Sequence, residues 1–288
     1  MKIAALIALL SVMPLACQSV AGRIVHKDPA KYRAAKSVHG GPGELAYMSM
    51  LDDHALTANL FFFHRGVIKP KSGIGHHYHH RMEEMFVIFD NEAQFTIDGR
   101  TSLLKGPAGA PCKMGHSHAI YNHTDKPTEW MNIAITDRKG KYDAFDLADG
   151  RLGVALDPVP VFVTLKMDRK LLRPEKAMNG GAGTALQRRA LPPEVFGTNW
   201  AYVDHVVLPA QASIGAHRHR GVEEVYYVVS GAGAALVNGQ RAALRKDDVL
   251  PVKFNEVHSI EAGGSGELEL LVFGITLQRG ILDTEDVR

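Results

Sequence analysis

Residues 74–91 read IGHHYHHRMEEMFVIFDN, and residues 214–231 read IGAHRHRGVEEVYYVVSG. Overlaid, they share Ile74/Ile214, Gly75/Gly215, His77/His217, His79/His219, Glu83/Glu223 and Glu84/Glu224, each pair separated by 140 positions. The offset persists downstream at Gly99/Gly239, Pro111/Pro251 and His118/His258. Upstream it joins Gly40, Gly41 and Gly43 to Gly180, Gly181 and Gly183, and Asp28, Arg33 and Lys36 to Asp168, Arg173 and Lys176. Self-similarity at a fixed period marks one structural unit used twice. The repeats run over 24–137 and 164–277, joined by a connector at 138–163 and followed by a tail at 278–288. The connector is rich in charge, glycine and proline, as suits a surface segment.

Within each repeat the apolar runs have strand length and strand composition. MFVIF (85–89) and VYYVV (225–229) are β-branched and aromatic, and turn residues follow both. Asp98-Gly99 and Asn238-Gly239 are hairpin signals that require positive φ. Short strands with regular turns predict an all-β chain of two antiparallel barrels or sandwiches, with helix confined to the neighbourhood of PAKYRAA (29–35) and the connector.

Side chains two apart on a strand share a face, so His77 and His79 point together, as do His217 and His219. Glu84 and Glu224 then lead the next apolar strand, with Phe86 and Ile88, or Tyr226 and Val228, on the same face. A carboxylate on an interior face needs a partner, and two imidazoles with a metal supply one. His118 and His258 are the downstream histidines at equivalent positions, whereas His116 and His123 face Glu256 and Gly263. The proposed ligand sets are therefore His77, His79, Glu84, His118 and His217, His219, Glu224, His258, each suited to one divalent transition metal such as Fe, Mn, Cu, Ni or Zn. Glu83 and Glu223 compete for the carboxylate position.

These motifs resemble the cupin signature. HRHRGVEEVYYVVSG carries its first motif, and HYHHRMEEMFVIFDN does so with Asn91 in place of the glycine. PCKMGHSHAIYN is similar to the second motif through Gly115, His118 and Asn122, while PVKFNEVHSIEA keeps Pro251 and His258 but not the glycine or asparagine. The resemblance implies a bicupin of two tandem jelly-roll barrels, with the eight residues above as metal ligands. It also implies a small-molecule substrate and a broad choice of chemistry, because one fold hosts many reactions. Oxalate decarboxylases place an arginine three residues before the first metal histidine, where this chain has Ile74 and Ile214.

The resulting expectation is a metal-dependent, dioxygenase-like oxidoreductase acting on a small oxygenated or carbohydrate-derived substrate, with Glu84 and Glu224 as candidate general bases. The alternatives are a sugar or uronate isomerase or lyase, and a metal- or carbohydrate-binding module without turnover. Arg218 and Arg220 alternate away from the ligands, and Lys113 and Lys253 suit a solvated rim.

Thirty-three basic against thirty-one acidic residues, with no basic run, argue against a nucleic-acid partner. The segment 1–21, MKIAALIALLSVMPLACQSVA, reads as a secretory signal cleaved after Ala21, which predicts a periplasmic or secreted protein. Its apolar run is short for a membrane span, and lipidation at Cys17 is the competing reading. Cleavage after Ala21 leaves Cys112 without a disulfide partner. The paired barrels could complete the molecule as a monomer or associate further.

Overall fold

The computed structural model describes residues 19–287, built almost wholly from antiparallel strands. In the N-terminal barrel one sheet contains Glu44–Leu51, Leu60–Ile68, Thr128–Thr136, Met82–Ile88 and Ala108–Cys112. The facing sheet contains Ser72–His79, His116–Asn122, Glu92–Ile97 and Arg100–Lys105. The C-terminal barrel repeats the plan, except that the long strand Val222–Val237 belongs to both of its sheets. Asp98, Gly99, Asn238 and Gly239 all adopt positive φ in two hairpin turns. Asn91, at φ 49°, turns the chain where Gly231 does so in the second barrel.

Two expectations of helix do not hold. Only a single 3-10 turn, Pro29–Lys31, forms in PAKYRAA, because Arg33–Lys36 pairs with Glu44–Leu51 instead. The connector is non-helical among the described residues, and its Phe145–Asp149 segment adds a strand beside Ser72–His79. The tail behaves alike, placing Glu285–Asp286 beside Ser213–Arg218. Connector and tail thus each take part in the barrel that precedes them.

Glycine is required where the loop at 39–41 crosses the ligand-bearing strand. A Cβ at Gly75 would lie 2.1 Å from the His39 carbonyl oxygen, and one at Gly215 would lie 2.1 Å from that of Asn179. Both strands therefore carry glycine two residues before their first site histidine.

The barrels are joined by exchange as well as by packing. Val25–His26, the start of the first repeat, pairs with Asp248–Val252 of the C-terminal barrel. Leu165–Lys166, the start of the second, pairs with Ala108–Cys112 of the N-terminal barrel. Between the barrels, Phe63, Met85, Met131, Trp200, Val225 and Phe273 form one buried apolar cluster. Burying a side chain of this size contributes about 1.5–3 kcal/mol.

Glu83 and Glu223 belong to this junction. The Glu83 carboxylate accepts hydrogen bonds from Gly197 N at 2.6 Å, Thr198 N at 2.9 Å and Thr198 Oγ1 at 2.5 Å. Glu223 reciprocates by accepting from Thr57 N at 3.1 Å and Ala58 N at 2.6 Å. Strand alternation sends Glu83 and Glu84 to opposite faces: one carboxylate holds the other barrel and its neighbour faces the barrel interior.

The amino-terminal end of the described chain is also packed. Val20 is buried in the core of the C-terminal barrel, its N–H donates to Gln240 Oε1 at 3.0 Å, and Arg23 pairs with Glu256 at 2.8 Å. Residues 1–18, including most of the proposed signal segment and Cys17, lie outside the described residues. Cys112 is a buried free thiol, its pKa pushed well up by burial.

Candidate metal centres

Cross-strand register builds each cluster. His77 lies opposite His118 on adjacent strands, and His217 lies opposite His258. Glu84 and Glu224 enter from the facing sheet, paired with Ala134 and Gly274 respectively. All eight residues are buried, and within each foursome the candidate ligand atoms lie within 4.8 Å of one another.

Outer hydrogen bonds set the imidazole tautomers. His77 Nδ1 donates to Gly75 O at 2.8 Å, and His79 Nδ1 to Asp143 O at 2.6 Å. In the second barrel His217 Nδ1 donates to Gly215 O, His219 Nδ1 to Asp283 O and His258 Nδ1 to Glu256 O. With Nδ1 so engaged, Nε2 of a neutral ring is left as a lone pair aimed inward. His118 Nε2 is 3.0 Å from His77 Nε2 and 3.1 Å from His79 Nε2, and His79 Nε2 is 3.1 Å from Glu84 Oε2. His258 Nε2 is 3.0 Å and the buried His219 Nε2 3.5 Å from Glu224 Oε2. Lone pairs and a carboxylate packed this closely require a proton or a cation among them. The donor set therefore fits one divalent transition metal per barrel.

The protonation pattern follows from the same geometry. Burial drives His77 and His217 down to about 4 and holds His118 well below its ordinary value. Burial also works against charge on His79 and His219, but Glu84 and Glu224 overcome it, lifting His79 above its ordinary value and His219 to about 9. Burial works in the opposite sense on the two carboxyls, and there too the histidines prevail, holding both below the usual range. The electrostatics that favour a proton on His79 and His219 beside the carboxylates would equally favour a cation there.

Around these matching ligands the barrels differ. Glu84 borders a cavity of 110 Å³ whose walls include His39, Phe62, His64, Trp130, Asn132 and Tyr142, with no lysine or arginine. Asn132 Nδ2 donates to Glu84 Oε1 at 2.5 Å, Phe86 stacks on His118 at 4.3 Å and His39 stacks on His77 at 3.9 Å. Burial lowers His64 to about 4, so it is neutral at pH 7. Tyr142 donates to His39 Nε2 at 3.2 Å, and His39 Nδ1 meets Asp146 at 2.5 Å. In the second barrel Glu224 instead accepts hydrogen bonds from two tyrosines, Tyr202 at 2.7 Å and Tyr226 at 2.6 Å.

The remaining candidates lie elsewhere. Glu83 and Glu223 are at the junction; Arg218 and Arg220 pair with Glu285 at the surface. His76 contacts Ser117 and Asp149, His116 pairs with Asp98 and His123 with Glu92, while His80 is exposed. Asn132, His64, Tyr142 and Tyr202 were not singled out by sequence reasoning. Following the repeat offset into positions that differ, 62/202, 64/204, 132/272 and 142/282, would have found them.

Comparison with known proteins agrees with this architecture. A cupin domain model matches residues 204–274. The oxalate-binding protein of Thermotoga maritima is 32% identical over 108 residues, covering 37% of this chain and 89% of that protein. The chain belongs to the cupin superfamily. Tetracenomycin polyketide synthase protein TcmJ of Streptomyces glaucescens is 29% identical over 113 residues, 38% of this chain and 72% of its own length. Among solved structures, an oxalate decarboxylase of Bacillus subtilis superposes with a TM-score of 0.63 at 15% identity, over 91% of this bicupin and 79% of that chain. The Lactobacillus farciminis oxalate decarboxylase formate complex gives 0.63 at 14% identity, over 91% and 88%. At such identity the likeness is one of fold: two tandem jelly rolls.

Proposed function

We propose that this bicupin is a metal-dependent oxidoreductase that works from its N-terminal barrel on a small, uncharged oxygenated substrate, with dioxygen as oxidant. The observation carrying this reading is the 110 Å³ cavity ending on Glu84, walled by aromatic rings and a neutral His64 and lacking any cationic side chain. Its size and chemistry suit a single phenol or enediol unit. When bound, a divalent metal would supply Lewis acidity and a template for substrate oxygens. Glu84, held at Oε1 by Asn132, is placed to accept a hydroxyl proton. Phe62, Trp130 and Tyr142 line the cavity with aromatic surface, and the neutral His64 offers a hydrogen-bonding group.

The relatives point toward oxalate, which favours a second reading: a binding module without turnover, because one relative is named an oxalate-binding protein. An oxalate dianion lacks a bidentate arginine in this cavity, and Ile74 occupies the position from which such an arginine would reach. The test is to reload metal-free protein with Fe, Mn or Cu and follow oxygen uptake with phenols, enediols, sugar acids and oxalate. Oxygen uptake with an uncharged diol supports the oxidoreductase. Oxalate binding without consumption supports the binding module, and turnover without oxygen moves the protein to the isomerases and lyases.

The proposed setting is outside the cytoplasm, on the strength of the hydrophobic segment at 1–21. Cleavage after Ala21 would strip Val20 from the core, so cleavage before Ser19 better preserves the fold. Amino-terminal sequencing of exported protein distinguishes the two.

A further inference from the structure

The two clusters share their ligands and differ in what occupies the space beside the carboxylate. Phe62 and Phe86 of the N-terminal barrel correspond to Tyr202 and Tyr226, each 140 residues later. Both tyrosines are buried, at 4% and 2% exposure, and their hydroxyls divide Glu224 between them, Tyr202 on Oε1 and Tyr226 on Oε2. The Tyr226 hydroxyl also lies 3.2 Å from His258 Nε2, between two of the four ligand atoms. Its counterpart Phe86 has no hydroxyl and lies flat on His118, with 2° between the ring planes, whereas Tyr226 meets His258 edge-on at 71°.

The surrounding backbone is shaped for this arrangement. Gly274, cross-strand from Glu224, has the Tyr202 ring against it so closely that a Cβ there would sit 2.4 Å from ring carbon. The equivalent position in the first barrel is Ala134, opposite Glu84. Arg189 covers the outer face of the Tyr202 ring at 4.1 Å and is itself fixed by Asp204. Asn132, which orients Glu84 while leaving room beside it, is replaced by Val272.

We infer that the C-terminal cluster is a closed metal site, in which Tyr202 and Tyr226 fill the space that the N-terminal barrel leaves for substrate. Its metal stabilises the barrel and takes no ligand from outside. This inference rests on the reading of the N-terminal cavity as a substrate site, and concerns access to the C-terminal metal and not turnover.

Azide on copper-loaded protein tests it, through the charge-transfer band that appears when azide reaches Cu(II). The full chain should bind two coppers and give a band that saturates at one azide per chain. His77→Ala should retain one copper and show no band, and His217→Ala should retain one copper and show the full band. Replacing both tyrosines, Tyr202→Phe with Tyr226→Phe, should raise the stoichiometry toward two azides per chain. That last comparison, made with all eight ligands intact, keeps the test decisive if a histidine variant fails to fold. A band in His77→Ala, two azides on the unmodified chain, one copper in place of two, or a stoichiometry left unchanged by the double tyrosine replacement would overturn the inference, whereas no band on the unmodified chain would instead refute an open N-terminal site.

Discussion

The N-terminal and C-terminal centres present the same three histidines and one glutamate, on equivalent strands and in the same register, yet they differ beside the glutamate. Asn132, Phe62, Phe86 and His64 of the first are Val272, Tyr202, Tyr226 and Asp204 in the second. Metal binding constrains donor type and spacing, so after duplication both copies keep them. Residues that admit or exclude a second molecule answer to a different requirement, and there the copies separate. On the proposed reading, an intact ligand set identifies a metal site and not a place of reaction.

Removing one ligand from each barrel would break this comparison most sharply. His118→Ala should lower activity by on the order of 10³-fold, as expected for losing several kcal/mol of metal-derived stabilisation, whereas His258→Ala should cost less than about tenfold. Metal analysis should show each variant losing the ion of its own barrel; equal losses of activity would show that both centres react. Next in size, Asn132→Val gives Glu84 the surroundings of Glu224 without the tyrosines. Because it frees Glu84 Oε1, kcat should fall about 10- to 100-fold with metal content little changed.

The junction should answer symmetrically where the centres do not. Glu83→Gln and Glu223→Gln each weaken a buried carboxylate that accepts backbone N–H groups from the other barrel, at about 1.5–3 kcal/mol per charged hydrogen bond. Denaturant midpoints should drop in both variants, somewhat further for Glu83→Gln, which weakens three hydrogen bonds against two. A large difference between them would mean that one barrel alone carries the junction.

The smallest effect is one of pH, in metal-free protein. His219 has a folded pKa of about 9 against an ordinary 6.5, so the folded state holds a proton that the unfolded chain releases sooner. Its stabilising contribution is complete below about 6.5 and disappears as pH rises through about 9. Unfolding midpoints should therefore decline across that window for the metal-free chain. Loading metal displaces the proton and should flatten the slope.

Much of this was legible beforehand. The 140-residue offset exposed the duplication, and alternation along His77-Tyr78-His79 placed two imidazoles on one face. Spacing to Gly231 favours Glu84 and Glu224 as ligands, but the role of Glu83 was hidden, because only the position of Gly197 and Thr198 in the neighbouring barrel shows where it is satisfied. The cavity residues were hidden for a related reason. His39, Phe62, Asn132 and Tyr142 converge through barrel closure, and the repeat offset marks them only as positions where the two copies differ. Tyr226 was visible as an interior residue, but its hydroxyl acquires meaning only beside Glu224. The reading of helix in 29–35 failed because local propensity lost to pairing with Glu44–Leu51.

The reciprocal exchange of Val25–His26 and Leu165–Lys166 has a consequence for how the molecule can be divided. A gene cut within the connector would yield two fragments, each with a sheet edge lacking its completing strand and a buried acid lacking its backbone donors. Such edges invite self-association, so either fragment alone should aggregate. Expressed together, the fragments carry each other's missing strand and should reconstitute one cooperative unit from two polypeptides.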